Sequence, residues 1–207
     1  MVAAARTRLS PEDRRAQLLA IGVRTLDDHS IEHLSFDRLS REAGVSRPLL
    51  FHYFGSRQGL RTEVVRLARD SMLHATAPDL TLPPLERLHD TLQRLVRFVH
   101  EHGGTFYSLV RGAASGDPEV RDAVDAAREV HTERVVAVFT ELGHPDSEVL
   151  RLALRGWVAL AEQMLVDAVG RLPDDEVVAL METSARAVVD ALPPQRSKSS
   201  RLSQANR

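Results

Sequence analysis

The stretch SFDRLSREAGVSRPLLFHYFGSRQGL, residues 35–60, has the pattern of two short helices joined by a tight turn and followed directly by a third helix. Ser35 can cap the first helix, and apolar residues follow it at helical spacing. Gly44 supplies the left-handed conformation that ends a helix, and Ser46 can cap the next helix two residues later. We therefore predict a helix, a very short turn and a second helix.

The second helix of this pair has an apolar side and an exposed basic end. Leu50 and Phe54 are four residues apart and lie on one face. The other faces carry Arg47, Pro48, Leu49 and His52. A short helix with an exposed basic N-terminal end suits the second helix of a helix-turn-helix, which enters the DNA major groove N-terminus first. The pattern thus predicts double-stranded DNA as a partner.

Read together, these residues resemble the DNA-binding motif of the TetR family of bacterial repressors. The family pattern is a small hydroxyl residue, an IA..AGVS core and then LY.HF.SK..L. The matching positions are Ser35, Leu39-Ser40, Ala43-Gly44-Val45-Ser46, Leu50-Phe51, Tyr53-Phe54, Ser56-Arg57 and Leu60. The resemblance is detailed over residues 14–66 and architectural beyond them.

Three positions depart from the family pattern. Phe51 stands where the family usually has tyrosine, Tyr53 where histidine is common, and Arg57 where lysine is common. The first change removes a hydroxyl that touches a phosphate in relatives, so Tyr53 is the alternative candidate for that contact. The third change keeps a positive charge at a helix N-terminus.

Two kinds of DNA contact are predicted for this motif. Arg47 can reach a guanine edge with two hydrogen bonds, and Pro48 and Leu49 offer apolar surface to a thymine methyl group. Hydroxyls, backbone N–H groups and a cation near helix N-termini suit phosphates. We assign that role to Ser35, Ser46, Tyr53 and Arg57. Arg38 and His52 complete the predicted DNA-binding set.

Composition supports a cytoplasmic protein. The chain has 207 residues and no cysteine, so disulfides and thiolate metal sites are excluded and an intracellular location is natural. No apolar run approaches the roughly 20 residues of a membrane span. Residues 1–10 lack the apolar core of a signal peptide. We expect no membrane association, no metal and no cofactor.

Charge is distributed unevenly along the chain, although the formal net charge is only −2. Residues 1–75 carry 12 arginines against 9 acidic residues, and residues 76–192 carry 11 against 20. Residues 193–207 carry 4 basic residues and no acidic residue. An acidic body with a mildly basic N-terminal domain can hold nucleic acid at one end and is repelled from it elsewhere.

Helix start and stop signals predict an all-α fold of about nine helices in two domains. An N-terminal three-helix domain contains the helix-turn-helix, and a fourth helix runs from Ser56 toward Pro78. Five further helices are predicted over residues 86–102, 105–114, 117–142, 146–169 and 174–192. Gly103-Gly104 is predicted to separate the first two of these. In the family, the fourth helix spans the domain boundary and couples the two domains.

The proline-rich segment 77–84 marks the domain boundary. The predicted organisation is a flexible N-terminus over 1–10, a DNA-binding domain with its connecting helix over 11–76, a larger effector-binding and dimerisation domain over 77–192, and a disordered basic tail over 193–207.

More than one face of each of the last two helices is apolar, so each must bury more than one face. Periodicity alone leaves open whether these helices are central to one subunit's core or form a two-fold four-helix interface. The family resemblance favours the dimer. The predicted interface residues are Leu154, Trp157, Val158, Leu165, Met181, Ala185, Val188 and Val189.

The resemblance also implies an effector pocket inside the second domain. Ordinary core packing is the alternative for each residue taken singly. Tyr107 and Trp157 favour a pocket, because each buries a large ring that needs a polar partner. The candidate pocket residues are Phe98, His102, Phe106, Tyr107, Arg111, Trp157 and Met164.

Two other functional classes fit the residues less well. An enzyme is disfavoured, because the chain has no His-Glu-x-x-His spacing, no phosphate-cradling glycine loop and no cysteine nucleophile. A helical adaptor that uses the motif for protein contacts does not explain why the motif carries Arg47 and Arg57. We therefore predict a homodimeric transcriptional regulator, a repressor that binds a palindromic operator and is relieved by a small-molecule effector.

Overall fold

The computed structural model describes residues 9–114 and 116–193. This part of the chain contains eight α-helices and a short 3-10 turn at Ile31–His33. The helices are α1 (Pro11–Asp28), α2 (Phe36–Ala43), α3 (Arg47–Phe54), α4 (Arg57–Ala75), α5 (Pro84–Ala114), α6 (Pro118–Glu141), α7 (Glu148–Ala168) and α8 (Asp174–Asp190). Residues 1–8 and 194–207, which hold most of the predicted flexible N-terminus and basic tail, lie outside the described residues.

Side-chain caps set the starts of the helices in the motif. The hydroxyl of Ser35 accepts a hydrogen bond from the backbone N–H of Arg38 at 3.3 Å, and Ser56 accepts one from Gly59 at 2.9 Å. Gly44 ends α2 with a φ of 63°, a left-handed conformation that favours glycine. The predicted cap at Ser35 and stop at Gly44 are both confirmed.

Helix α5 differs from the prediction, because one kinked helix replaces two. The kink lies at His102, whose φ of −132° and ψ of 30° are not helical. Gly104 does not end the helix; it lets α5 cross α1, since a Cβ there would collide with the carbonyl oxygen of Asp27. Thr105 then donates from its hydroxyl to the Asp27 carboxylate at 2.6 Å. Gly104 therefore allows a close helix crossing, and the helix count is eight in the described residues.

Two hydrophobic cores organise the molecule. The N-terminal core is formed by α1 to α4 around Leu18, Leu50 and Leu60, and it also takes in Val120 and Val124 of α6. The second core is formed by α5 to α8. Helix α6 thus packs on both cores. Among the described residues, no helix is long and apolar enough to cross a membrane.

The predicted interface residues pack inside a single chain. Seven of the eight are buried within the core of a single chain, and Val188 is half-buried against the same core. Leu154, for example, is fully buried. The indole N–H of Trp157 donates to the Met181 carbonyl at 3.2 Å and to the Ser184 hydroxyl at 3.0 Å, joining α7 to α8. The predicted residues belong to the faces that α7 and α8 turn inward. The seven buried residues are Leu154, Trp157, Val158, Leu165, Met181, Ala185 and Val189.

Candidate nucleic-acid interface and effector cavity

Helix α3 has one buried side and one exposed side, as the sequence predicted. Leu50 and Phe54 are buried in the N-terminal core. The Ser40 hydroxyl donates to the carbonyl of Val45 at 2.5 Å, which ties the turn between α2 and α3 to α2. The predicted helix-turn-helix is therefore present. Its exposed residues at α3 are Ser46, Arg47, Pro48, Phe51 and His52.

Two basic side chains of the motif have acidic neighbours. Arg47 at the start of α3 forms an ion pair with Asp37 at the start of α2, and both side chains are more than half exposed. Arg38 donates from Nε to the Glu42 carboxylate at 2.7 Å. Exposed ion pairs of this kind contribute little to stability. Arg47 can therefore exchange Asp37 for a base or a phosphate at small cost.

Arg57 contacts the protein itself where a phosphate contact was predicted. Its Nε donates to the carbonyl of Leu34 at 3.2 Å, and its Nη2 donates to the carbonyl of Glu32 at 2.7 Å. Both carbonyls lie in the connection between α1 and α2. Arg57 thus holds this connection in place, and only the remaining N–H groups of its guanidinium are left for a phosphate.

The three hydroxyl residues predicted to contact phosphates differ in exposure and in the contacts that they already make within the protein. Ser46 is exposed at the start of α3, and its side chain makes no capping hydrogen bond. Ser35 is half-buried and its oxygen caps α2. Tyr53 is half-buried, and its ring packs against those of His52 and Phe54. Ser46 is therefore the most accessible hydroxyl of the three. Leu49, predicted to meet a thymine methyl, is half-buried.

Phe51 is a residue of this surface that the sequence reasoning did not include among the DNA contacts. Its side chain is 61% exposed on α3, an unusual position for a phenylalanine. Its ring meets the edge of Phe36 with centroids 6.3 Å apart. The sequence feature that could have identified Phe51 is its position four residues after Arg47, which places both residues on the exposed side of α3.

Helix α4 belongs to both parts of the molecule. Its first half contributes Leu60 and Val64 to the N-terminal core, and its last turns contribute Met72 to the wall of a cavity in the second domain. Arg61 of α4 forms an ion pair with Asp117, the residue that caps α6. Helix α4 therefore connects the cavity wall directly to the N-terminal core.

Arg134 of α6 holds the C-terminal end of α4. Its guanidinium donates to the carbonyl oxygens of Leu73 at 2.9 Å and Thr76 at 3.0 Å, and to the Thr76 hydroxyl at 3.2 Å. These carbonyls are the unpaired acceptors at the negative end of the helix dipole, where a cation is favourable. Arg134 also lines the cavity. It was not predicted from sequence.

The cavity has a volume of about 370 Å³ and lies between α4, α5, α6 and α7. That volume is typical of ligand pockets, which range from roughly 300 to 1,000 Å³. Most of its wall is aliphatic, with the rings of Phe106 and Trp157. Because the indole N–H of Trp157 is bonded to α8, this ring presents apolar surface to the cavity.

Two of the seven predicted pocket residues, Phe106 and Trp157, line this cavity. Phe98 instead packs against His102 in a tilted arrangement, with ring centroids 4.8 Å apart, and lines a separate polar cleft. In this part of α5, the residues that line the cavity are Phe106, Leu109 and Val110. The described residues that were predicted and do not line it are Phe98, His102, Tyr107, Arg111 and Met164.

His131 of α6 is a cavity residue that sequence reasoning missed. Its side chain is largely buried, and within residues 9–114 and 116–193 its Nε2 atom has no hydrogen-bond partner. Burial, with a smaller contribution from Arg134, lowers the pKa of His131 to about 4. The imidazole is therefore uncharged at neutral pH. The signal was a histidine within the apolar stripe of α6 that includes Val124, Ala127, Val135 and Val138.

Comparison with known proteins assigns the two parts of the chain. A family model described as bacterial regulatory proteins, tetR family, matches residues 18–64. A model described as tetracyclin repressor-like, C-terminal domain, matches residues 84–199, which is more than half of the chain. The chain belongs to the TetR family. This TetR-family protein is therefore a DNA-binding transcriptional regulator, and its relatives are regulators rather than enzymes.

Two relatives of this TetR-family chain are named as transcriptional regulators. The HTH-type transcriptional activator FasR of Mycolicibacterium smegmatis is 26% identical over 157 residues, which cover 74% of this chain and 71% of FasR. The HTH-type transcriptional regulator BetI of Agrobacterium fabrum is 42% identical over 65 residues, which cover 31% of this chain and 32% of BetI. The likeness to BetI thus spans about a third of each protein.

Solved structures of TetR-family proteins share the fold. A tetR-family transcriptional regulator from Streptomyces coelicolor has a TM-score of 0.74 and 26% identity, covering 88% of this chain and 82% of that one. Salmonella enterica GusR has a TM-score of 0.71 at 15% identity, covering 88% of this chain and 98% of its own. The latter shows a shared fold alone.

Proposed function

We propose that this TetR-family protein is a homodimeric repressor that binds a palindromic operator in the cytoplasm and is released by a small molecule in the cavity. The observation that carries the proposal is the path of α4. Its Leu60 and Val64 hold the helix-turn-helix core, its Met72 lines the cavity, and Arg134 holds its end. A ligand that favours one position of this helix can shift the DNA-binding equilibrium by its differential affinity for the two positions.

The outward faces of α7 and α8 support the dimer. Leu152 is 70% exposed on α7, with Leu160 on the same face and Leu180 on α8 also exposed. Residues 152, 156 and 160 are spaced by four, so Gly156 lies between the two leucines in one stripe. Two such helices from each of two subunits form a four-helix bundle. We propose this stripe in place of the interface residues predicted from sequence.

The sign of regulation is tested in the native host. We expect that deletion of the gene raises transcription of the genes whose promoters the purified protein binds. Promoter fragments are selected from host genomic DNA with the full-length protein, and the transcripts are then counted in the deletion strain. FasR is named as an activator, so a fall in these transcripts is the outcome that would replace repression by activation.

The cavity is tested by filling it. Ala127 is buried in the cavity wall, so Ala127→Leu should leave operator affinity unchanged and abolish its response to host metabolite extract. Operator affinity is measured by fluorescence anisotropy with and without extract. Ala126→Leu on the exposed side of α6 is the matched control and should respond like the wild type. An unchanged response of Ala127→Leu would place the effector elsewhere.

A further inference from the structure

The charged side chains in the cavity wall are already partnered within the protein. Arg87 donates to both carboxylate oxygens of Glu141, at 2.7 and 2.8 Å. Arg128 donates to both oxygens of Glu162, at 3.0 and 2.6 Å, and to Asp125. The other charged wall residues, with their partners, are Arg69 with Asp70, Glu133 with Arg151, and Arg134 with the α4 carbonyls.

Among the described residues, every charged group of the wall has hydrogen-bond partners, and those of Arg134 are the neutral oxygens of Leu73 and Thr76. An ion that enters this cavity loses its hydration, and it must either break one of the existing pairs or remain unpaired in an apolar space. The cost applies to a cation, and it applies to an anion as well, because Arg134 would have to release the carbonyl oxygens at the end of α4 to bind it. An uncharged ligand avoids this cost.

Neutral polar groups complete the wall. Thr91 and His131 both line the cavity, and the buried Nε2 of His131 has no hydrogen-bond partner among the described residues. Because the imidazole lies in the cavity wall, a polar group of a ligand can form a hydrogen bond with this ring. A neutral imidazole nitrogen either donates or accepts, depending on its tautomer, and a hydroxyl group complements both cases.

We propose that the cavity binds an uncharged, largely apolar molecule with a single hydroxyl or similar hydrogen-bonding group, which bonds to the imidazole of His131. The proposal rests on the effector function proposed for this cavity and names the chemical class of its ligand. The aliphatic wall supplies affinity through burial of the apolar body. His131 supplies the orientation.

The class is tested with three probes that share one alkyl chain and differ in the polar end. Binding of 1-decanol, decanoate and decyltrimethylammonium to the full-length protein is measured at pH 7 by isothermal titration calorimetry, below the concentration at which each probe aggregates. We expect 1-decanol to bind at least about tenfold more tightly than either ion. If either ion binds as tightly as the alcohol, the proposed class is wrong although the cavity remains a ligand site. If none of the three binds, the effector function of the cavity fails as well.

The role of His131 is tested by substitution. His131→Phe keeps a planar ring but removes the hydrogen bond, and it should weaken 1-decanol binding by about fivefold. His131→Gln keeps a donor and an acceptor and should retain most of the affinity. His74→Phe, at an exposed histidine of α4, is the control and should not change binding. Equal affinities of the Phe and Gln variants, both with native helical content by circular dichroism, would overturn the assigned hydrogen bond.

Discussion

Arg47 occupies the first position of α3, where its guanidinium pairs with Asp37 in an exposed contact. We expect Arg47→Ala to relax sequence preference, because a two-bond contact with guanine is worth roughly 1–3 kcal/mol of discrimination. The measurement is the ratio of affinities for operator and scrambled DNA. Arg97→Ala, an exposed arginine of α5, should keep the wild-type ratio. An unchanged ratio for Arg47→Ala would limit Arg47 to phosphate contact.

His131 makes stability depend on pH. Its pKa is about 4 in the folded protein, whereas the ordinary value is 6.5. Between these two pH values, His131 binds a proton in the unfolded chain and stays uncharged in the folded chain. The free energy of unfolding therefore falls as the pH drops from about 6.5 to about 4, by about 3 kcal/mol from this residue.

The matching measurement is urea unfolding at several pH values within that window. Carboxyl groups such as Glu141, whose pKa is lowered by hydrogen bonds from Arg87, also lose stabilisation as the pH falls. The comparison is therefore between the wild type and His131→Gln. The variant should have a shallower pH dependence, whereas His74→Gln should follow the wild type. Parallel curves for the wild type and His131→Gln would contradict the expected role of burial.

At the scale of the helices, the crossing of α5 over α1 depends on Gly104. A Cβ at this position would collide with the backbone carbonyl of Asp27, which cannot move aside as a side chain can. We expect Gly104→Ala to destabilise the protein by about 1–3 kcal/mol or more, as overpacking does. Urea midpoints measure the change.

The neighbouring glycine is the control for this substitution. A Cβ at Gly103 would approach only the ring of Tyr107, at 3.3 Å, and that ring can shift. Gly103→Ala should therefore cost much less than Gly104→Ala. Similar midpoints for the two variants would show that the two helices are not in close contact at Gly104.

At the scale of the whole molecule, the exposed stripe on α7 is the proposed dimer interface, which would set the distance between two DNA-binding domains. Recognition helices must lie about 34–36 Å apart, or a multiple of this, to enter successive major grooves on one face of DNA. A charge in the stripe should prevent pairing, because it would be buried between subunits. We expect Leu152→Glu to be monomeric by light scattering, with weak operator binding and a folded N-terminal domain.

Val130→Glu is the matched control, because Val130 is an exposed apolar residue of α6 outside the stripe. It should remain dimeric. A dimeric Leu152→Glu would show that the interface lies elsewhere. A monomeric variant that binds the full operator as tightly as the wild type would contradict the two-fold mechanism itself.

Local sequence determined the helix-turn-helix and most helix boundaries. Caps such as Ser35 and stops such as Gly44 act within one or two turns of the chain, so neighbouring residues are sufficient to predict them. Local signals also predicted the all-α fold, which the described residues have, and the DNA-binding function, which the family models show.

Tertiary structure alone decided which faces of the last helices point inward and which residues form the cavity. Leu154 and Leu152 are two residues apart and equally apolar, yet the first is fully buried and the second is 70% exposed. A helix that is apolar on several sides carries no local signal for the side that meets its own chain. Arg57 and Gly104 likewise act on backbone carbonyls far along the sequence, at Leu34 and Asp27. Such contacts exist only after the helices pack, because their partners are set by the three-dimensional arrangement and not by spacing along the chain.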